Sequence, residues 1–260
     1  MRRPLDQELV RRGLAGSRDD AREVIATGRV RVAGRPALKD TTLIRPQDPV
    51  ALTPAEGRFV SRGGEKLAAA LDRFDVDPSN RACLDAGAST GGFTDCLLAG
   101  GAGTVIAVDV GYGQLDFRLR QDPRVTVMER TNVRELRAGS LTPRPSLVVA
   151  DLSFISLALA LPALTDVSTE DAEFVLLVKP QFEARPEEVE TGGVVHDPEV
   201  HRHAIEGVAN ACSELGLAPR GVMASPLRGP AGNVEFLLYA IKGGNAAPLD
   251  VDAALEEAEA

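Results

Sequence analysis

Apolar positions at the start of the chain recur with helical spacing. Leu5, Leu9 and Val10 define one face of a helix over 5–12, and Gly13 and Gly16 stop it. Ser17 then suits the N-cap of a second helix over 18–27, with Asp20 three residues on in the place a capping box gives to Glu. Gly28 ends that helix. The pattern shortens to strand-like pieces, Val30–Val32 and Ala37–Leu38, around a turn at Gly34-Arg35-Pro36. Residues 41–57 are rich in Pro, Asp and Thr and close a small α+β unit, predicted as a domain over 1–57. Residues 58–64 (RFVSRGG) form the linker to a larger second domain. Phe59 in it is an isolated aromatic, placed either between domains or against the small domain's core.

From residue 65 helices and strands alternate, which predicts an α/β fold with a doubly wound, Rossmann-like sheet over 65–244. A helix covers Lys66–Phe74. Strands fall at Ala82–Asp85, Thr104–Asp109, Val125–Met128, Leu147–Asp151 and Phe174–Lys179, with a helix at Gly92–Ala99. Asp197-Pro198 starts another helix, Asp as cap and Pro in the first turn. A late strand spans Val234–Ile241. Residues 245–260 carry five acids and no Lys or Arg, a surface helix or a frayed tail.

Charge changes the picture of the small unit. The chain carries −9 overall, yet residues 1–66 hold 14 Lys and Arg against 9 Asp and Glu, and the remainder 15 against 29. Concentrated basic charge in the first quarter fits a module that meets phosphate. Arg2, Arg3, Arg18, Arg22, Arg29 and Arg31 are its candidate RNA contacts. With no Trp and 4% aromatics, base stacking is not the main mode of nucleic-acid binding. The longest uncharged apolar run, Leu152 to Leu164, is shorter than the roughly 20 residues a bilayer requires. The N-terminus lacks the apolar core of a secretory signal. Three scattered cysteines without C-x-x-C spacing suggest a reducing cytoplasm and no structural zinc. His196, His201 and His203 do not share a helix face, so no metal is expected; one is read as a loop histidine and two as surface residues.

Candidate chemistry sits at strand ends, where open α/β sheets bind ligands. The loop Asp85 to Phe93, DAGASTGGF, follows the first strand of the sheet. Its glycines are wrongly spaced for a dinucleotide fingerprint. It is close to the D-x-G-x-G-x-G loop of S-adenosylmethionine methyltransferases, with Ser89 in place of the middle glycine. Asp85, Gly87, Ala88, Ser89, Gly91, Gly92 and Phe93 are therefore candidate cofactor residues. Asp109, at the end of the next strand, is placed to accept from ribose hydroxyls, and Asn132 to meet an adenine edge or cap a loop. Lys66, Asp151, Lys179 and Glu235 form a second set, with Asp151 counted in both. Methyl transfer to an alcohol needs in-line alignment and a proton acceptor. Lys179 is the expected base, its pKa lowered by burial and a neighbouring Lys66. Asp151 and Glu235 would each steer a lysine; two structural salt bridges are the plainer alternative.

Two resemblances sharpen these expectations. LDQELVRRGLAGSRDDAREVIATGRVRVAGR, Leu5 to Arg35, resembles the S4 RNA-binding domain. SRGGEKL, CLDAGASTGGFTD, VDVGYGQL, DPRV, ERTN, VVADLSFISL, VKPQFE, GGVVHDP and ASPLRGPAGNVE resemble the TlyA family of rRNA ribose methyltransferases, some of which carry a hemolysin name. The wider FtsJ-like group uses a Lys-Asp-Lys-Glu tetrad, which maps onto Lys66, Asp151, Lys179 and Glu235. The resemblance implies S-adenosyl-L-methionine as cofactor and 2′-O-methylation of a cytidine in 23S rRNA, in some members also in 16S rRNA. It implies a cytoplasmic monomer acting on rRNA within 50S, and for some members 30S, subunits. Asp151-Leu152-Ser153-Phe154 lacks both prolines of the D-P-P-Y of amine methyltransferases, which makes base methylation the weaker reading. Phe154 lines the pocket or simply packs, and Tyr112 belongs to a loop at the cofactor's edge. Two other function classes stay in play: a membrane-active hemolysin and a non-catalytic ribosome-assembly binder.

Overall fold

A computed structural model describes residues 2–26, 28–52 and 58–259. The small N-terminal unit joins two helices, α1 (Leu5–Arg11) and α2 (Arg18–Ala26), to short strands. Strand β1 (Arg3–Pro4) pairs with β4 (Leu43–Ile44), and β2 (Val30–Val32) pairs with β3 (Arg35–Pro36) and β5 (Val50–Leu52). Its core is Leu5, Leu9, Ala21, Val24, Ile25 and Val30. The capping box forms as the sequence specified: Asp20 N–H donates to Ser17 Oγ at 3.0 Å, and Ser17 N–H to Asp20 Oδ2 at 2.9 Å. The strand expected at Ala37–Leu38 is a correction. The tight Ala33-Gly34 turn, with both residues at positive φ, brings Arg35 opposite Val32, so the return strand ends at Pro36. The boundary expected at residue 57 lies outside the described residues.

The large domain is a seven-stranded sheet of order β11-β12-β10-β9-β6-β7-β8. β6 (Ala82–Ala86), β7 (Thr104–Val108), β8 (Val125–Met128), β9 (Leu147–Ala150) and β10 (Glu173–Val178) run parallel. β12 (Phe236–Lys242) is antiparallel to β10, and β11 (Leu217–Ala224) to β12. The central strands read as near-continuous apolar runs because helices bury both faces. One face carries α6 (Leu157–Val167) and α8 (Pro198–Glu214) against Leu84, Val148, Phe174 and Phe236. The other carries α3 (Gly63–Arg73) and α4 (Gly92–Ala99) against Cys83, Val149, Val175 and Leu237. α8 starts as predicted, with Asp197 accepting from Glu199 N–H at 2.9 Å. α5 (Phe117–Gln121), α7 (Pro180–Glu183) and α9 (Val251–Glu259) complete the set, so the acidic tail is a helix that buries Val251 and Ala254.

The linker is part of the large domain. Phe59 and Val60 are buried with Leu67, Phe93 and Leu97, Val60 N–H donates to Asp95 Oδ2 at 2.7 Å, and Gly64 leaves space that Phe59 fills. Of the two placements open for Phe59, the small domain's core is thereby excluded.

Candidate active site

Strand order reverses between β6 and β9, the crevice where such sheets hold ligands. The loop after β6 turns there because Gly87 takes φ +88°, and a Cβ on it would lie 2.4 Å from the Asp151 carbonyl oxygen. Gly91, at φ +98°, starts α4 where a side chain would strike Leu119. Two cavities open at this crevice. One, of about 340 Å³, is lined by Gly87, Ser89, Asp109, Gln114, Asn132 and Asp151, among others. Asp109 bridges two loops, accepting from Ser89 N–H at 2.8 Å and Gly111 N–H at 2.6 Å. A carboxylate has about four acceptor positions, so Asp109 keeps capacity for a ligand. Asn132 Oδ1 caps the short helical turn after it, accepting from Arg134 N–H at 3.1 Å, while the residue also borders the cavity. Tyr112 is exposed beside this loop, with Arg130 stacked 4.2 Å over its ring.

Asp85 is fully buried behind the loop. Oδ2 accepts from Thr94 Oγ1 at 2.6 Å, but Oδ1 has no partner. Burial, with Asp151 and Asp109 nearby, pushes its carboxyl up to about 7. An under-satisfied buried acid at a glycine loop fits a cationic ligand.

The second cavity is smaller, about 90 Å³, and all four residues of the Lys-Asp-Lys-Glu set line it with Ala88, Gly92 and Phe93. α3, the β9 and β10 ends and the turn before β12 deliver them. They form two ion pairs: Lys66 Nζ to Glu235 Oε2 at 2.5 Å, and Lys179 Nζ to Asp151 Oδ1 at 2.5 Å. Lys66 and Glu235 are 7% and 2% exposed, so neither charge is left for water. Lys179 also donates to Ser153 Oγ at 3.0 Å. Pro180 starts α7 directly after Lys179, fixing the backbone that presents it.

One electrostatic expectation is corrected. Burial alone would lower the Lys179 pKa, but Asp151 and Glu235 outweigh it, and the ammonium is held above the usual lysine range. Lys66 does not act as a discharging neighbour, because Glu235 already neutralises it. The Asp151 carboxyl is held below its usual range by Lys179 and Lys66, against its burial.

The outer wall of the small cavity belongs to the other domain. Asp19, Asp20 and Glu23 of α2 line it, and Asp20 Oδ1 accepts from Ser89 Oγ at 3.2 Å. Gly16 packs so closely that a Cβ there would overlap Gln114. The sequence pattern gives α2 a role through its arginines and carries no sign of this acidic face.

The six candidate arginines divide. Arg2, Arg3, Arg18 and Arg31 are exposed, Arg31 also donating to the Gly34 carbonyl at 3.3 Å. Arg18 is bound to Asp6 at 2.7 Å, and Arg22 to Asp19 and Asp40. Arg29 is half-buried and donates to the Val60 carbonyl at 2.8 Å, an interdomain strut rather than a free contact. Arg35, Lys39 and Arg45 are exposed on the same unit, outside the candidate set. His201 corrects the histidine reading: it is buried, bonded through Nε2 to the Val195 carbonyl at 3.0 Å, and edge-on to Phe236. Phe154 is 68% exposed beside the tetrad at φ +64°, its ring 5.2 Å from that of Phe182.

Five parallel strands, an antiparallel strand set beside β10, and a glycine loop between acid-ended strands define the Rossmann-like methyltransferase class. The chain belongs to the FtsJ-like methyltransferase family, whose profile matches residues 59–242, and an S4 domain profile matches residues 3–50. Among characterised proteins it is 54% identical to the 16S/23S rRNA (cytidine-2′-O)-methyltransferase TlyA of Mycobacterium tuberculosis, over 90% of this chain and 88% of that one. It is 34% identical to the 23S rRNA (cytidine-2′-O)-methyltransferase TlyA of Campylobacter jejuni, over 71% of each. A solved structure carrying a hemolysin name, from Streptococcus thermophilus, superposes with a TM-score of 0.78 at 36% identity, covering 99% of this chain and 96% of that one.

Proposed function

We propose that this chain transfers a methyl group from S-adenosyl-L-methionine to the 2′-hydroxyl of a cytidine in rRNA, acting as a monomer on ribosomal subunits in the cytoplasm. The observation that carries the reading is the pair of ion pairs, Lys66–Glu235 and Lys179–Asp151, facing one cavity at the mouth of the glycine loop. The named activities of the two TlyA relatives support the substrate, with 23S rRNA common to both and 16S rRNA to one. No helix among the described residues is long and apolar enough to cross a membrane, and the hemolysin reading rests on a shared name.

The cofactor fits the larger cavity. Asp85 and Asp151 would hold its cationic end, Asp109 its ribose and Asn132 its adenine. Gly87 and Ser89 border it directly, while Ala88, Gly91, Gly92 and Phe93 would hold the loop in shape, Ala88, Gly92 and Phe93 facing the smaller cavity beside it. When bound, it supplies an electrophilic methyl group. The chain's own part is to align the hydroxyl and remove its proton. Lys179 orients the hydroxyl and, once discharged, takes the proton at Nζ. Asp151 holds that amine in place, Glu235 fixes Lys66 at the cavity's edge, and Lys66 neutralises charge that gathers there.

A cavity of about 90 Å³ holds a few waters and no nucleotide. RNA entry therefore requires α2 to shift, since Asp19, Asp20 and Glu23 of that helix form the cavity's outer wall. Exposed Arg2, Arg3 and Arg31 supply the first contact of the S4 unit with the RNA.

The test is tritiated methyl transfer to unmethylated 50S and 30S subunits, with the label mapped by reverse transcription at low nucleotide concentration. Label on a cytidine ribose is the expected result. Label on a base, or none on any rRNA with cofactor binding intact, overturns the reading.

A further inference from the structure

Lys179 is held by two contacts of different kinds. Its Nζ lies 2.5 Å from Asp151 Oδ1, yet that oxygen has no partner of hydrogen-bond geometry. Asp151 therefore supplies charge and little direction. The contact to Ser153 is a hydrogen bond, Nζ to Oγ at 3.0 Å. An ammonium has three N–H groups and no lone pair, so the serine oxygen is the acceptor. The N–H bonds lie on one cone about the Cε–Nζ axis, and a directional bond to any one of them fixes the rotation of all. Glu235 and Glu23 also act on the amine through charge, which attracts without orienting.

The serine stands where the two cavities meet. Asp20, Gly87, Ser89, Asp151 and Ser153 line both the cofactor cavity and the tetrad cavity, and Lys179 lines the tetrad side. A methyl group passing from one cavity to the other crosses this border. Ser153 follows β9 in a turn where Leu152 is buried and Phe154 takes a φ of +64°. A non-glycine residue persists in that conformation only where its surroundings hold it. The turn leaves Ser153 exposed, with its hydroxyl on the lysine.

We infer that Ser153 is the positioning residue of the catalytic amine, fixing the rotation of Lys179 Nζ so that the hydrogen without a protein acceptor faces the ribose hydroxyl. One hydrogen is held by Ser153 and one is drawn to Asp151, so the third is the one most easily lost. The lone pair it leaves points the same way. The proton of the 2′-hydroxyl then moves from oxygen to Nζ, and the ammonium is restored. Without Ser153 the neutral amine turns about Cε–Nζ and presents a hydrogen as readily as the lone pair. The inference rests on the proposed role of Lys179 as base and adds the residue that aims it. Ser153 acts through Lys179 and lies outside the Lys-Asp-Lys-Glu set.

The test measures single-turnover methyl transfer to unmethylated 50S subunits for the wild type, Ser153→Ala, Ser153→Thr, Lys179→Ala and the double variant Ser153→Ala/Lys179→Ala. Ser153→Ala should be ~10- to 100-fold slower at saturation, the effect of losing one hydrogen bond to a charged group. Its half-saturating subunit concentration and its cofactor affinity by calorimetry should stay within about 2-fold of the wild type, which also shows that the variant is folded. Ser153→Thr keeps the hydroxyl, and the exposed position has room for the added methyl, so most of the rate should return. The double variant should match Lys179→Ala alone, because a residue that acts through another then has nothing to act on. The inference is overturned by a wild-type rate for Ser153→Ala, by a loss that appears as weaker cofactor or RNA binding, by a Ser153→Thr protein as slow as Ser153→Ala, or by losses that multiply in the double variant. Two protons in flight in a proton inventory of the wild type would make Ser153 a relay and overturn it as well. A wild-type rate for Lys179→Ala overturns the reading of Lys179 as base instead.

Discussion

The two domains use charge in opposite ways. In the large domain four charged residues from distant parts of the chain meet at one buried cavity and neutralise one another. In the S4 unit six arginines from one short stretch scatter: four are exposed, and four make a bond to an acid or a carbonyl, Arg18 and Arg31 doing both. The difference is one of cost. A buried charge without a partner is so unfavourable that its position and mate are fixed together. A surface arginine has many partners of similar worth, and the sequence does not say which it takes. Where charge is buried, pattern predicts which residues meet; where it is solvated, pattern predicts only composition.

The sharpest way to break this comparison is at the amine. Lys179→Ala should lower methyl transfer by at least ~10²- to 10⁴-fold, measured with tritiated cofactor, while calorimetry shows cofactor binding retained. Unchanged turnover would mean that the four residues are structural after all. The same residue sets the pH profile. Its folded pKa is raised, so the neutral, proton-accepting form grows only as pH increases. The logarithm of the single-turnover rate should climb with unit slope through the alkaline range. A plateau near neutral pH would show that Lys179 is discharged in the complex, or that another group is the base.

Glu235→Ala strands a buried Lys66 ammonium. Losing one partner of a buried pair costs about 3–5 kcal/mol, which for a domain of this size is roughly a 6–20 °C drop in melting temperature. Calorimetric unfolding measures it, and a drop of less than about 2 °C would show that the pair is solvated. Asp85→Asn should move stability the other way. A carboxyl whose folded pKa is raised to about 7 destabilises the fold progressively between its unfolded pKa and 7, and fully above 7. The amide should therefore raise the melting temperature by a few degrees at pH 8, with the gain fading to little at about pH 3, and weaken cofactor binding. Equal melting temperatures at pH 8 would show that burial of the Asp85 carboxylate carries no cost.

The smallest effects lie on the S4 surface. Removing Arg2, Arg3 or Arg31 should each reduce the slope of log affinity against log salt by about one, in filter binding to rRNA. Arg29→Ala should leave that slope unchanged, because its guanidinium is committed to Val60. A slope change for Arg29 equal to that of Arg31 would dissolve the distinction.

Most of the fold was legible because its signals were redundant. The parallel strands announce themselves as apolar runs, and α2 and α8 carry their caps in sequence. β11 was not visible, since Pro219 and Gly221 interrupt it at a register shift, which only an edge strand tolerates. α6 hid inside an apolar run that fits strand or helix alike. At the site, the identity of the four charged residues was legible and their pairing was not. Lys179 held charged by Asp151 and Glu235 depends on distances that spacing along the chain does not contain. The acidic inner face of α2 has no sequence signature, because it is defined by what stands opposite.

The burial of Phe59 and Val60 in the large domain turns the connection into a short leash. Leu52, the last strand residue of the S4 unit, and Phe59, rooted in the catalytic core, are seven residues apart. Their Cα atoms can separate by at most ~25 Å. The distance from the RNA face of the S4 unit to the tetrad cavity is then bounded by that span plus the reach of the two folded domains. The tether works as a ruler, and RNA that places its gripped part farther from the target ribose than this sum is out of range.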